Sequence, residues 1–181
     1  MDLIMKLTVQ LLTWNGAKYI APLFASLRAQ TFRDWELHIL DNASSDNTVE
    51  LVEKELMSGT IPYKFETGRE NLGFAGGHNY LWQKSASEYL MLLNQDLSLA
   101  PDCLEKLVNF LDKVPEAAAV SPRLMCWDFA GQTMTNKIDS LGLKVYKNRR
   151  VVDWRQGEDW QKQKKQFIQL SNYPIIETFG V

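Results

Sequence analysis

The sequence predicts an α/β protein in which a mostly parallel sheet is flanked by helices. Short apolar runs bounded by turn residues alternate with stretches in which apolar residues recur at helical spacing, and this alternation is typical of parallel strands joined by crossover helices. With 181 residues, 45% of them apolar, the chain can bury a core of ordinary size. We expect a single domain over residues 1–181, with an α/β core in 1–125 and an irregular segment in 126–181.

The first part of the chain carries the clearest strand and helix patterns. Apolar runs predict the strands, and apolar residues at i, i+3, i+4 and i+7 predict the first helix face. Asn47 and Glu50 have the spacing of a capping box at the start of the second helix. In chain order, the predicted elements are strand 7–13, a helix through 20–27, strand 35–40, helix 48–57 and strand 61–65.

Later elements follow a glycine-rich stretch, Gly73–Gly77, which should precede a short helix. The run Tyr89–Leu93 is continuously apolar, which indicates a strand buried on both faces. Pro101 suits the first turn of the next helix, Ala117–Ser121 is a further predicted strand, and Ile175–Val181 begins another strand-like run. Residues 128–166 are mostly polar and include scattered tryptophans, so we expect an irregular segment that runs over the surface.

Composition and charge exclude several classes of protein. A net charge of -2 gives no support for a nucleic-acid-binding patch. The apolar runs are far shorter than the roughly 20 residues of a membrane-spanning helix. The first residues lack the pattern of a secretory signal, which favours a cytoplasmic location. Cys103 and Cys126 have no partner at metal-ligand spacing, so we expect two free thiols.

Polar residues cluster where predicted strands end. In open parallel sheets, ligands bind in the crevice beyond the carboxyl ends of the strands, so these positions carry more weight than other polar residues. We expect them to share one site. They are Thr13-Trp14-Asn15, Asp41-Asn42, the stretch from Asn71 to Asn79, and Asn94-Gln95-Asp96.

Each of these motifs has a functional and a structural interpretation. Asp41 can accept a hydrogen bond from a base N–H, although a turn-forming Asp is the simpler interpretation of that residue alone. Asp96 can bind a divalent cation that bridges two phosphates, since it lies too far from the helix near Pro101 to cap it. The glycine stretch either admits a ligand or forms a turn that needs positive φ. His38 lies within a strand and is expected to be structural.

Together, and in this order, these motifs resemble the signature of family-2 glycosyltransferases, most closely the bacterial rhamnosyltransferase-type members. The resemblance implies a GT-A fold that binds a UDP- or dTDP-sugar. It places Thr13, Trp14 and Asn15 beside the base, with Asp41 hydrogen-bonded to it. Asp96 matches the last position of the D-x-D metal motif, which implies Mg²⁺ or Mn²⁺. The full substrate-binding set is Thr13, Trp14, Asn15, Asp41, Asn42, Asn71, Gly73, Phe74 and Asn94.

The resemblance also implies a reaction. A sugar would pass with inversion from the nucleotide sugar to a saccharide or lipid-linked saccharide acceptor, in polysaccharide or cell-wall biosynthesis. The setting would be the cytoplasm, at the inner face of the membrane with peripheral association. The family's general base follows a stretch like Phe179-Gly180-Val181, so we expect it beyond Val181 and assign it to no residue. His78 stands where relatives often carry Asn.

Two alternatives remain at the level of the sequence. The first is a non-catalytic nucleotide-sugar-binding module that lacks the general base. The second is a nucleotidyltransferase on a similar sheet, which is disfavoured because no glycine-rich, basic triphosphate loop follows the first strand.

Overall fold

The computed structural model describes residues 4–128, 131 and 133–164. The chain divides into two compact units, Met1–Ser98 and Leu99–Val181; that both belong to one domain stays a prediction. No described helix is long and apolar enough to cross a bilayer. The first unit contains β1 (Leu7–Thr13), α1 (Ala17–Arg28), β2 (Trp35–Asp41), α2 (Thr48–Leu56), β3 (Tyr63–Thr67), α3 (Gly73–Trp82) and β4 (Tyr89–Asn94).

The sheet of the first unit has the order β3-β2-β1-β4, and all its strands are parallel. The predicted α/β class with a parallel sheet flanked by helices is therefore confirmed. Thr13 pairs with Asp41, and Leu12 pairs with Asn94. The register thus brings the ends of three strands to the same edge of the sheet.

The two faces of β1 and β2 differ in chemistry. Val9, Leu11 and Leu37 are 0% exposed, and they belong to an apolar core that includes the predicted stripe of α1. The alternate positions Gln10 and His38 are equally buried but polar. Because successive side chains of a strand point to opposite faces, these polar residues form a second, hydrogen-bonded layer.

His38 has the structural role expected from the sequence. Its Nδ1 lies 3.3 Å from Ser85 Oγ, and its Nε2 lies 3.0 Å from Glu36 Oε1. Gln10 extends the same layer, since its Nε2 donates to Ser85 Oγ at 3.5 Å. Buried polar side chains therefore form hydrogen bonds with one another on the face of the sheet opposite to Val9, Leu11 and Leu37.

The second unit contains the helix α4 and two antiparallel strand pairs. Its elements are α4 (Cys103–Lys113), β5 (Leu124–Asp128), β6 (Thr133–Ser140), β7 (Leu143–Val145) and β8 (Val151–Asp153). β5 pairs with β6, and β7 pairs with β8. Met125, Ile138 and Trp160 form a buried apolar cluster in this unit, with Leu141 packed against them. Cys103 and Cys126 are free thiols, as predicted.

Several expectations about local structure were wrong. Ala117–Ser121 is not a strand, and the strand of this region is β5. Residues 133–153 are not irregular, since they form β6, β7 and β8. Strands of antiparallel pairs that face water on one side contain few apolar residues, so the polar composition concealed them. The end of the predicted surface segment, from residue 165, lies outside the described residues, as does the strand-like run Ile175–Val181.

Smaller differences concern edges and caps. β4 is an edge strand of the described sheet, and Leu90 and Leu92 are 36% and 55% exposed, so its predicted burial on both faces was wrong. The helix after Pro101 begins at Cys103. α3 begins at Gly73 and includes the glycine stretch instead of following it. Asn47 makes no side-chain capping bond, so the predicted capping box is absent.

Candidate functional site

A cleft of about 410 Å³ lies at the carboxyl edge of the sheet in the first unit. Its walls come from the ends of β1, β2 and β4 and from the start of α3, the elements that sequence analysis predicted to meet. The lining residues are Leu12, Trp14, Asn42, Asn71, Gly73, Phe74, Asn94, Gln95 and Asp96.

Most of the predicted site residues line this cleft. Thr13, Asn15 and Asp41 do not line it. Gln95 and Leu12 do; Gln95 belongs to the predicted motif Asn94-Gln95-Asp96 but was given no role of its own, and Leu12 was not singled out from the sequence. Nothing in the sequence distinguishes Leu12 from other apolar strand residues.

Asp41 lies behind the cleft wall and is 1% exposed. Its Oδ1 accepts a hydrogen bond from Ser44 N at 2.8 Å, and its Oδ2 accepts from Ser44 Oγ at 2.6 Å and from Thr13 Oγ1 at 2.8 Å. A carboxylate has about four acceptor positions, so three are already used by the protein. In this arrangement Asp41 shapes the turn after β2, and its contact with a base stays a prediction.

The turn after β2 also holds the turn after β1. Asn15 Oδ1 accepts from Ser45 N at 2.8 Å, and Asn15 N donates to Ser44 Oγ at 2.9 Å. Asp46 accepts from the Thr48 hydroxyl, and this bond holds the pKa of Asp46 below its usual value. Asn15 has φ +46, a conformation that Asn tolerates better than most residues. The two turns therefore form one hydrogen-bonded unit beside the cleft.

Asn42 connects β2 to the glycine stretch. Its Nδ2 donates to Asn71 Oδ1 at 2.7 Å, and its Oδ1 accepts from Leu72 N at 2.8 Å. Asn71 Oδ1 also accepts from Gly73 N at 2.7 Å. Gly73 has φ +71 and nothing within 4 Å of an added Cβ, so backbone conformation, not lack of space, favours glycine there.

Gln95 joins the end of β4 to the end of β1. Its Oε1 accepts from Trp14 N at 2.9 Å, and its Nε2 donates to Trp14 O at 3.0 Å. A Cβ added to Gly16 would lie 2.2 Å from Gln95 Oε1. Gly16 therefore leaves the space that Gln95 occupies, and Gln95 fixes the backbone of Trp14, whose side chain is 52% exposed.

Asp96 is the one charged residue among the described residues that line the cleft. It is exposed, as is Asn94, and both offer oxygen atoms of the kind that Mg²⁺ and Mn²⁺ prefer. The described residues contain no group of three or more His, Cys, Asp or Glu side chains that would hold a metal. These residues fit an ion that takes one carboxylate from the protein and its other ligands from phosphate and water, as Mg²⁺ often does.

His78 lies in α3 away from the lining of the cleft and is 4% exposed. Its Nδ1 lies 3.3 Å from Gln10 Oε1, and its ring packs edge-on against Phe74 at 4.6 Å between centroids. Burial lowers the pKa of His78. His78 therefore supports the cleft residue Phe74 from behind.

The first unit has a parallel sheet with a cleft at its carboxyl edge. Solved structures similar to this chain are GT-A glycosyltransferases. The chain has the GT-A fold. It belongs to the family described as Glycosyl transferase family 2, whose model matches residues 8–175. This confirms the family that the ordered motifs resemble.

Two curated relatives are similar to this chain. It is 25% identical over 126 residues to EpsE of Bacillus subtilis, covering 70% of this chain and 45% of EpsE. It is 28% identical over 112 residues to the poly(ribitol-phosphate) β-N-acetylglucosaminyltransferase TarS of Staphylococcus aureus, covering 60% of this chain and 19% of TarS. The chain thus spans less than half the length of these curated relatives.

Solved structures agree on the fold. The structure of S. aureus TarS has a TM-score of 0.56 and 27% identity, covering 67% of this chain and 21% of TarS. The structure of TarS 1–349 in complex with UDP-GlcNAc has a TM-score of 0.59 at 23% identity, covering 77% of this chain and 39% of that chain. The mannosyltransferase PcManGT of Pyrobaculum calidifontis, in complex with GDP-Man and Mn²⁺, has a TM-score of 0.54 at 21% identity, covering 69% and 36%.

Proposed function

We propose that the cleft binds a nucleotide-diphosphate sugar and that the protein transfers the sugar with inversion to a saccharide acceptor. The observation that carries this proposal is the position of Asp96, a lone exposed carboxylate in a cleft otherwise lined by neutral residues. Membership of the family and the similarity to TarS, solved with UDP-GlcNAc, support a UDP- or dTDP-sugar as donor.

The charge balance of the cleft supports metal assistance. A diphosphate is anionic, and none of the described lining residues is basic. Asp96 and the amide oxygen of Asn94 would hold Mg²⁺ or Mn²⁺. When bound, such an ion neutralises charge that develops on the leaving diphosphate. The start of α3 at Gly73 adds the partial positive charge of a helix N-terminus to the same wall.

Two aromatic side chains supply the flat surfaces that a base or sugar needs. Trp14 and Phe74 both line the cleft and are 52% and 57% exposed. Aromatic rings that stay exposed within a cleft are suited to stacking on planar or apolar ligand faces. Asn71 and Gly73 would lie near the ribose and sugar, and the Thr13–Asp41 pair would hold the turns around the base.

Deprotonation of the acceptor hydroxyl is not assigned to a described residue. Asp96 is the single carboxylate of the described lining, and a carboxylate that binds a cation is a weak base. The acceptor we propose is a saccharide or lipid-linked saccharide of a surface polysaccharide, because TarS and a teichoic acid polymerase are among the relatives. We propose a cytoplasmic location at the inner face of the membrane.

The alternative is a module that binds a nucleotide sugar without turning it over. The single carboxylate of the described cleft lining, Asp96, favours this alternative. A transferase needs one carboxylate for the metal and a second acidic group as general base. The two functions share the donor site and differ only in product formation.

Calorimetry with UDP or dTDP tests the donor site. We expect binding that requires Mn²⁺ and that Asp96→Asn reduces at least tenfold, because loss of a charged metal ligand removes more than about 1.4 kcal/mol. Glu88→Gln is the matched control, since Glu88 is an exposed acidic residue immediately before β4, at the other end of the strand that leads to Asp96. Equal affinity in the two variants would refute the role of Asp96.

A turnover assay separates transferase from binding module. The protein is incubated with labelled nucleotide sugar, Mn²⁺ and saccharide acceptors, and labelled product is separated from donor. Transfer that Asp96→Asn abolishes and Glu88→Gln preserves supports the enzyme. Tight donor binding without transfer or donor hydrolysis supports the non-catalytic module.

A further inference from the structure

We infer that the hairpin formed by β7 and β8, residues 143–153, is a docking surface for an anionic lipid bilayer. The hairpin belongs to the second unit and takes no part in the donor cleft. It combines an exposed apolar face with a cluster of basic residues at its turn, and the inference is independent of the donor that the cleft binds.

The apolar face follows from the strand register. Val145 pairs with Val151, and Leu143 lies two residues before Val145, so all three side chains project from the same face of the hairpin. They are 69%, 50% and 70% exposed, and Tyr146 at the start of the turn is 44% exposed. Single exposed apolar residues are normal, whereas a contiguous group on one sheet face indicates a surface that binds a protein partner or a membrane.

The turn of the hairpin carries the charge. Within 143–153 there are four basic residues and one acidic residue, Asp153, although the whole chain has a net charge of -2. In the part of the chain that the structure describes, none of the four cations forms an ion pair with a carboxylate. Asp153 lies at the base, paired with Leu143. The four cations are Lys144, Lys147, Arg149 and Arg150.

Backbone hydrogen bonds fix the turn in this shape. Tyr146 N donates to Arg150 O at 2.9 Å, and Arg149 N donates to Tyr146 O at 2.9 Å. Arg150 N donates to Asn148 Oδ1 at 3.1 Å. Lys147, Arg149 and Arg150 therefore lie at the tip of an ordered hairpin, and little backbone conformational entropy is lost when the tip meets a surface.

An anionic bilayer matches both features at once. Apolar side chains of an interfacial element enter the boundary between headgroups and acyl chains, while adjacent Lys and Arg side chains meet anionic headgroups. Lys144 lies between Leu143 and Val145 and so projects from the opposite face, with its Nζ 5.1 Å from the centroid of the Tyr146 ring; the contact with headgroups rests on Lys147, Arg149 and Arg150. An acidic protein surface would use the cations but would leave the apolar face exposed.

Vesicle co-sedimentation of the full chain, without nucleotide, tests this inference. We expect binding to vesicles that contain phosphatidylglycerol, no binding to phosphatidylcholine alone, and weaker binding as salt is raised. Each basic residue near an anionic surface raises the partition coefficient about fivefold, so Arg149→Gln with Arg150→Gln should lower it roughly 30-fold. The control is Lys54→Gln with Lys113→Gln, which removes the same charge from exposed residues outside the hairpin and should keep wild-type binding.

A second pair of substitutions tests the apolar face. Val145→Thr with Val151→Thr keeps the strand preference and should lower the partition coefficient about tenfold or more, since these side chains would no longer leave water favourably. No binding to phosphatidylglycerol vesicles, equal binding to both kinds of vesicle, equal loss in both charge variants, or no loss in the threonine variant would overturn the inference; the last result would indicate that the charges bind without the apolar face. Unchanged nucleotide affinity in the hairpin variants separates this outcome from failure of the donor site.

Discussion

Replacing Gly16 by alanine is expected to break the contact between Gln95 and Trp14. The added Cβ would lie 2.2 Å from Gln95 Oε1 and 2.4 Å from its Cδ, far inside van der Waals contact. Gln95 is a flexible side chain, so it would rotate away and lose both of its hydrogen bonds to Trp14. Each such bond contributes about 1 kcal/mol net. Gly16→Ala should therefore lower the free energy of unfolding by about 2 kcal/mol.

The same substitution should be nearly silent in a protein that already carries Gln95→Ala. The clash is then absent, because the three atoms nearest to the added Cβ, at 2.2, 2.4 and 2.8 Å, all belong to Gln95. Gly16 is the N-cap residue of α1, where glycine is preferred over alanine, but alanine reduces the entropy of the unfolded chain by about 0.4–1 kcal/mol. These two effects oppose each other and nearly cancel when Gln95 is absent. The loss of about 2 kcal/mol seen only when Gln95 is present is therefore the coupling free energy between the two positions.

Urea unfolding of the wild type, both single variants and the double variant measures this coupling. Calorimetry with UDP or dTDP provides a second readout, because Trp14 lines the cleft and its backbone is no longer fixed in either single variant. If Gly16→Ala costs the same free energy of unfolding with and without Gln95, the proposed contact does not stabilise the site.

Three further predictions concern α3. Gly77→Ala should destabilise the protein by about 1–3 kcal/mol through overpacking, since its Cβ would lie 2.4 Å from Leu12 Cδ1; urea unfolding should show partial rescue by Leu12→Ala. Gly73→Ala should cost about 1 kcal/mol through its φ of +71 alone, and Gly73→Asn should cost less by the same measurement. Burial lowers the pKa of His78 below 6.5, so below that pH the unfolded chain takes up a proton that the folded one does not. Stability should then fall from pH 7 to 5 by at most about 1.4 kcal/mol per pH unit, and less in His78→Gln.

The first two βα units could be predicted because their signals are local. Leu7–Thr13 was predicted with the bounds that β1 has, and Trp35–Leu40 missed one residue of β2. In both, a continuous apolar run ends at a polar turn, and the following helix repeats its apolar residues at helical spacing. Each of these patterns lies within a single strand or helix, so the sequence of that element alone is enough to predict it.

The second unit could not be predicted in the same way. β6, with the sequence TMTNKIDS, has two buried residues, and its stability depends on pairing with β5 and on Trp160, which lies 22 residues after Ile138 in the sequence. Trp160 is 4% exposed and Trp82 is 60% exposed, and Trp160 itself gave no signal of burial. Burial set by distant partners leaves no periodic pattern in the strand itself.

For the candidate site, the sequence by itself determined which residues gather at one edge, because parallel strands end together and their polar ends are visible as motifs. Tertiary structure alone decided what each side chain does there. Asp41 and Asp96 both follow an apolar strand, yet one is 1% exposed with three hydrogen bonds and the other faces the cleft. That difference depends on Thr13 and Ser44 reaching Asp41, and on Gln95 turning back to Trp14 beside Asp96. The bonds from Ser44 to Asp41 are local and agree with the turn-forming interpretation of Asp41. The contacts of Thr13 with Asp41 and of Gln95 with Trp14 join different strands and turns, and no spacing within one motif encodes them.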